Sequence, residues 1–483
     1  MSRRLGRVLL LTGAALIGTP SLADDLREAL VMAYNTNPQL QGARAQQRAV
    51  DAGVPIARSA ALPSLSGAVS HTEFVKRSSS TPGGPASGPE RVLSADLTAG
   101  APLYAGGAIK NSIAAARTRV EAGRADLRAS ETDVFSQVVA AYMDVILGQA
   151  VVGLNRGQVG VLNVNLQATR DRFEIGDLTR TDVAQSQARL SLAQGQTRSA
   201  EAQLIGARER YIAVVGKEPV NLQPPPPLPG LPASADAAVE VALDSNPDLI
   251  AARERSKAAG FDTRVAGSGR LPRVSVFAGV GYTDYYGTLG GGSPLVSQSA
   301  TDAQAGVRAS IPLFQGGLPA AQRRQAQARE GATLEQEIAI ERQVIAGVRA
   351  AYASWQAAQE IIASSQAAVD AAALSLEGVR AENTVGNRTI LDILNAQQES
   401  LNAQVQLVTA QRNAYVAGFN LLAAMGKAEA RDLGLDGGPL YDPVANYDRI
   451  AGNIWDWASD PAPTPQSTRT VDTRAQDGSV KPR

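Results

Sequence analysis

Leu93-Ser94-Ala95-Asp96-Leu97-Thr98-Ala99-Gly100-Ala101-Pro102-Leu103 sets small or apolar residues at every odd position, with Ser94, Asp96 and Thr98 between them. Tyr104-Ala105-Gly106-Gly107 follows directly. The same parity returns in Ala303, Ala305, Val307, Ala309, Ile311 and Leu313, with Asp302, Gln304, Arg308 and Ser310 between, and it runs into Phe314-Gln315-Gly316-Gly317. A period of two predicts a β-strand with two unlike faces. About ten such residues suit a membrane-spanning strand and also a half-buried soluble one. Val274, Val276, Ala278, Val280 and Tyr282 alternate in the same way, and 65–75 is a weaker version. Turn-forming Gly, Ser and Pro fill 78–89 and 287–301. Two hairpins are therefore predicted, with strands at about 62–75 and 91–104, then at about 271–286 and 301–314. Four strands cannot close a barrel, and open sheet edges are not tolerated in lipid. If these strands enter a membrane, several chains must share one barrel.

The recurrence extends over the whole chain. Asn37-Pro38-Gln39-Leu40 returns as Asn246-Pro247-Asp248-Leu249, and 246 − 37 = 209. Ala141-Tyr142 returns as Ala351-Tyr352, and 351 − 141 = 210. Gly216-Lys217 returns as Gly426-Lys427 at the same offset. A period this long predicts two copies of one domain-sized unit, too long for a solenoid repeat. The first covers 24–218 and the second 236–430, each read as helix, strand pair, long helix, turn and helix.

Helical signals fill the rest of each unit. Residues 318–385 hold no Pro after Pro319, and Ile345, Val348, Tyr352, Trp355, Ile362, Val369 and Leu376 keep three-four spacing. Leu394, Leu401, Val408, Tyr415 and Leu422 recur every seven residues, the pattern of a left-handed coiled coil. Helices are predicted at 108–173 and 181–215, then at 318–385 and 390–425. One of some 65 residues would be roughly 100 Å long, which a globular domain rarely uses. Pro224-Pro225-Pro226-Pro227 marks 219–235 as a semi-rigid linker. The extension 431–483 turns polar and Pro/Ser/Thr-rich, and from about Ala458 onward its composition predicts disorder.

Composition excludes several functions. Arg3, Arg4 and Arg7, an apolar run from Val8 to Gly18, and Ser21-Leu22-Ala23 predict an export signal over 1–23. Its removal leaves a net charge of 46 − 3 − 46 = −3, so no basic excess invites nucleic acid. Zero Cys excludes a thiolate nucleophile, a disulfide framework and a Cys metal site. The one histidine, His71, leaves no basis for a His triad or a His-rich metal centre. Gly216-Lys217 and Gly426-Lys427 lack the Ser or Thr of a phosphate loop. No mature segment offers 18 uninterrupted apolar residues, so no membrane-spanning helix is expected. No enzyme chemistry, metal or cofactor is expected.

The turns between the long helices carry the candidate site. Gly176 and Gly386 suit a left-handed residue ending a helix. Thr179 and Thr389, three residues before Asp182 and Asp392, suit acidic capping boxes. Capping alone accounts for these residues. They could also line the mouth of a helical tube.

In this order and spacing, the duplicated halves, the Asn-Pro-x-Leu openings, the Pro-Leu-aromatic-x-Gly-Gly strand ends and the Gly-x-x-Thr-x-x-Asp turns resemble the TolC family of outer-membrane efflux ducts, over roughly 24–430. The resemblance implies a homotrimer in the cell outer membrane. A shared twelve-stranded β-barrel would stand on an all-α coiled-coil tunnel in the periplasm. The duct would serve a tripartite efflux or type I secretion system, working with a periplasmic adaptor and an inner-membrane pump. By the same resemblance Arg388 stands at the gate arginine, and Thr181 and Asp182 at its partners. Asp392 matches one acidic ring. Asn395 replaces a second acid and Asn383 a gate tyrosine, which implies a less negative constriction. Gly176 and Gly386 would mark the adaptor-contacting tips. Two rivals remain: a periplasmic coiled-coil adaptor, which would not need two strand hairpins with an apolar face each, and a secreted helical enzyme.

Overall fold

The computed structural model describes residues 25–76, 88–435 and 440–480. The expected export signal 1–23 and most of the turn 78–89 lie outside them. Three helices open the chain: α1 Leu26–Thr36, α2 Pro38–Asp51 and α3 Gly53–Ser59. Strands β1 Ser64–Glu73 and β2 Arg91–Ala105 follow, then helices α4 Ala108–Glu174 and α5 Arg180–Val215. After the linker come α6 Ala235–Ser245, α7 Pro247–Gly267, β3 Arg273–Asp284, β4 Ser299–Ser310, α8 Leu318–Thr384 and α9 Ile390–Ala424. A last helix, α10 Pro443–Ala451, begins the C-terminal extension. The long helices α4 and α8 have 67 residues each.

The Asn-Pro motifs do two things at once. The Asn37 side-chain oxygen accepts from the N–H groups of Gln39 and Leu40, while Pro38 occupies the first helical position, where no N–H is needed. The Asn37 amide then donates to Val214 O at 2.9 Å, at the end of α5. Asn246 repeats both contacts with Asp248, Leu249 and Ala424 O. Each asparagine thus starts one helix and pins the end of another. Replacing Asn246 with Ala is expected to cost about 0.5–2 kcal/mol for the cap and to strand the Ala424 carbonyl. Thermal unfolding in detergent, compared with wild type, checks this.

The four strands form one antiparallel sheet in the order β1-β2-β3-β4. Its register sorts the faces. Leu97 lies opposite Gly67 and Val280, Ala99 opposite Leu65 and Ala278, and Val276 opposite Val307. The other face carries Thr98 opposite Ser66 and Gly279, and Asp96 and Asp302 on either side of Gly281. A Cβ at 281 would come 2.9 Å from Asp302 Oδ1 and 3.0 Å from Asp96 Oδ1, so the two carboxylates close over a glycine. The apolar face is uncovered within the chain: Val69 is 77% and Val307 65% exposed. β1 and β4 each pair on one side only.

The main core surrounds α4. Phe135, Val138, Val139, Tyr142 and Val145 are fully buried with Leu40, Leu204, Tyr211 and Phe419. The Tyr142 hydroxyl donates to Gln223 O at 2.6 Å, tying α4 to the linker. α4 contains an 18-residue window of mean hydropathy 1.5, long and apolar enough to cross a membrane. Val134, Val138, Val139, Tyr142 and Val145 of α4 are buried in the main core, and 39% of the window is buried within the chain. α8 is different. Only Val344, Val348 and Ala358 are buried among its 67 residues, and Leu334, Ile338, Ile361 and Leu374 are exposed.

The C-terminal extension corrects the composition-based expectation. Instead of disorder from Ala458, residues 474–480 run extended along α5. Arg208 donates to Asp477 O and Ser479 O, Arg156 to Gly478 O, and the N–H groups of Arg474 and Gln476 donate to Glu218 and Glu209. A segment with little apolar area cannot be held by burial. Here charged side chains on α4, on α5 and just after α5 hold its backbone.

Candidate functional site

The site is the pair of turns that close the helical hairpins. Glycine starts each one. Gly176 has φ +85° and Gly386 φ +82°, and the next N–H turns back, from Asp177 to Arg172 O and from Asn387 to Glu382 O. Left-handed backbone here favours glycine, which carries no Cβ. The tips expose apolar side chains: Ile175 is 80% and Val385 71% exposed.

Thr179 and Thr389 then start α5 and α9 with complete capping boxes. Asp182 Oδ2 accepts from the Thr179 hydroxyl at 2.7 Å and from its N–H at 2.9 Å. Asp392 makes the same pair with Thr389, at 2.8 and 2.9 Å. The Thr179 hydroxyl and then its N–H hold the Asp182 carboxyl below its ordinary range. For Asp392 the Thr389 N–H leads, followed by the hydroxyl. The sign follows. A lowered folded value means that these caps hold at full strength above about pH 4 and weaken as pH falls through the lowered values. Amide hydrogen exchange in the first turns of α5 and α9, corrected for its intrinsic pH dependence and followed from pH 7 to pH 3, is expected to accelerate only in the last unit.

Arg388 turns onto its own hairpin. Its Nε lies 2.6 Å from Glu382 Oε2, and this contact raises its pKa first, with Asp392 contributing less. Asn383 Nδ2 donates to Arg388 O at 2.7 Å and steadies the same turn. Within one chain, Arg388 is therefore not brought to Thr181 or Asp182. Glu382 is a partner that the turn sequence did not reveal.

The two hairpins meet one level above the tips. Leu162, Leu166, Leu190, Ala193 and Leu394 form a small buried layer there. Asn395 Oδ1 accepts from Arg189 Nη2 at 2.6 Å, and Asn165 donates to Gln397 Oε1 at 3.1 Å across the same seam. Higher up, Arg412 Nε donates to Asp144 Oδ1 at 2.9 Å. Arg189 lies seven residues after Asp182, on the same face of α5. That spacing was the one signal that could have found it. Among the described residues no group of His, Cys, Asp and Glu is arranged to hold a metal ion.

Comparison with known proteins fits these hairpins and this sheet. The family description "Outer membrane efflux protein" matches residues 29–217 and again 238–427. The chain is 33% identical to the outer membrane efflux protein BepC of Brucella suis over 442 residues, 92% of this chain and 94% of that protein. It is 26% identical to the outer membrane protein TolC of Vibrio cholerae over 434 residues, 88% of this chain and 97% of that protein. The crystal structure of the outer membrane protein VceC from Vibrio cholerae shares the fold, with a TM-score of 0.71 at 22% identity over 83% of this chain and 96% of that one. With both halves matched, the chain belongs to the outer membrane efflux protein family, whose members are channels of the outer membrane and not enzymes.

Proposed function

We propose that three copies of this chain form one exit duct, with a shared twelve-stranded barrel in the outer membrane and a helical tunnel in the periplasm. The two halves of the chain are equivalent units around that tunnel. A periplasmic adaptor joins the tips near Gly176 and Gly386 to an inner-membrane pump, in a tripartite efflux or type I secretion system. The duct conducts passively. The observation that carries this reading is the four-stranded sheet, with one apolar face and two unpaired edges. Lipid demands that every backbone group be paired, so further strands must complete the ring. The exposed length of α8 supports the same assembly, because a second copy would cover it. Purified oligomer added to planar bilayers should open ion-conducting pores. Absence of conductance from correctly assembled oligomer would refute the duct.

The tips form the gate. Arg388, two residues before α9, exchanges Glu382 for Asp182 and Thr181 of a neighbouring hairpin as copies pack. Arg189 and Asn395 hold the two hairpins of one copy together. Asp392 supplies one acidic ring per trimer. Arg388→Ser combined with Asp182→Ala, and separately Arg189→Ala, should raise single-channel conductance with oligomer yield unchanged. Asp392→Asn should instead weaken cation preference, because a ring of acids at a narrow mouth concentrates cations. Wild-type conductance and selectivity in all three would refute the gate, leaving Asp182 and Asp392 as caps and Arg189 and Arg388 as links within one copy.

A further inference from the structure

The structure points to a second membrane contact outside the barrel: we propose that the loop 452–459 seats Trp455 and Trp457 in the periplasmic-side headgroup region of the outer membrane. The inference rests on the sheet standing in that membrane.

Direction comes first. Asn446 in α10 donates to Asp51 Oδ2 at 2.8 Å, at the end of α2, and Arg58 Nη1 donates to Ala451 O at 2.9 Å, at the end of α3. α10 and α3 therefore advance side by side. α3 leads into β1, whose first residue, Ser64, is six positions after Arg58. That is at most about 20 Å of chain. The residues after Ala451 leave α10 heading for the helix-side end of the sheet.

The loop is also built. Asn453 Oδ1 accepts from the Trp455 N–H at 3.0 Å, and the Ala458 N–H closes a turn on Trp455 O at 3.0 Å. Its base is clamped by Arg449, which donates to both carboxylate oxygens of Asp460 at 2.7 and 3.0 Å. The chain then doubles back. Thr468 lies beside Gly216, and 474–480 descend α5 away from the sheet. What remains at the top is a closed tip carrying Ile454, Trp455 and Trp457. The two tryptophans are 68% and 84% exposed.

These are two of the three tryptophans in the chain, and water is a poor setting for both. A tryptophan has a large apolar body and one N–H, which suits the boundary between acyl chains and water. Barrels carry aromatic residues at both boundaries. At the far end of the sheet Tyr282 and Tyr286 are exposed, and at the helix-side end Tyr104 and Phe314 are exposed. The loop lies on the first-strand side of the sheet, where β1 begins with Ser64 and no aromatic residue. It continues the helix-side boundary where β1 supplies nothing. A bilayer surface is therefore the occupant that fits, in preference to a protein groove.

Quenching of tryptophan fluorescence by brominated phosphatidylcholine tests this on the reconstituted full-length oligomer. The loop signal is the emission of the wild-type protein minus that of Trp455→Phe with Trp457→Phe. Vesicles brominated near the headgroup should quench that signal, and more strongly than vesicles brominated near the chain ends. An unquenched loop signal overturns the proposal, whether water or a protein surface surrounds the tip. The barrel is monitored separately by adding Leu97→Trp to the double variant. If Trp at 97 is quenched and the loop is not, only this inference fails. If neither is quenched, the membrane placement of the sheet fails with it.

Discussion

Leu97→Arg should strongly deplete assembled oligomer in the outer membrane. Leu97 stands in the middle of β2 on the apolar face, opposite Gly67 on one side and Val280 on the other. A guanidinium there would face acyl chains, at about 2–4 kcal/mol for a charge near the bilayer midplane. A shared barrel would carry one such charge per copy, so the effect multiplies on assembly. Val307→Arg should behave alike, since Val307 is paired with Val276 on the same face. Thr98→Arg is the control. It adds the same charge to the same strand but on the face that already holds Asp96, Asp302 and Arg308. Semi-native gels of outer-membrane fractions read out the result. Normal yield of both Leu97→Arg and Val307→Arg would reverse the parity or remove the barrel.

Gly426→Ala should be the most damaging of the small substitutions in the helical region. Gly426 has φ +70°, and a Cβ there would sit 2.4 Å from Ser245 O and 2.9 Å from Asn246 Cα. Those atoms cannot retreat. Asn246 is the N-cap of α7, and its amide is already bonded to Ala424 O. Left-handed backbone costs an alanine about 1–2 kcal/mol, and overpacking against fixed backbone adds about 1–3 kcal/mol. Gly386→Ala separates the two contributions, because Gly386 has φ +82° and nothing within 4 Å of the added carbon. It should lose only the backbone share. Thermal unfolding of both variants decides the matter. Equal losses would mean that the α6–α7 junction yields, and that the Gly426 approach is not a constraint.

What the chain made legible was local. Alternation over 93–103 exposes a two-faced strand because side chains switch faces at each residue. Thr179 with Asp182, and Thr389 with Asp392, announce helix starts because the cap spans three residues. Contacts between distant segments leave no such trace. The Asn37 amide meets Val214 O, and Arg189 meets Asn395, with nothing in the local pattern of either segment to name the other. The resemblance implies Asp182 as the partner of Arg388, while its partner within the chain is Glu382, six residues earlier. The order of 474–480 is hidden from the sequence for a related reason. Polar contacts between its backbone and Arg208, Glu209 and Glu218 have no hydrophobic pattern to read. The exposed face of α8 was legible only in part, since its three-four spacing says that the helix packs but not against which copy.

Four strands cannot close a barrel, and we propose that three copies of the chain close one together. Native mass spectrometry of the protein extracted from outer membranes in mild detergent measures the stoichiometry directly. Three chains per particle, surviving at low detergent and collapsing to one on heating, is the predicted result. A stable particle of one or two chains would contradict the account.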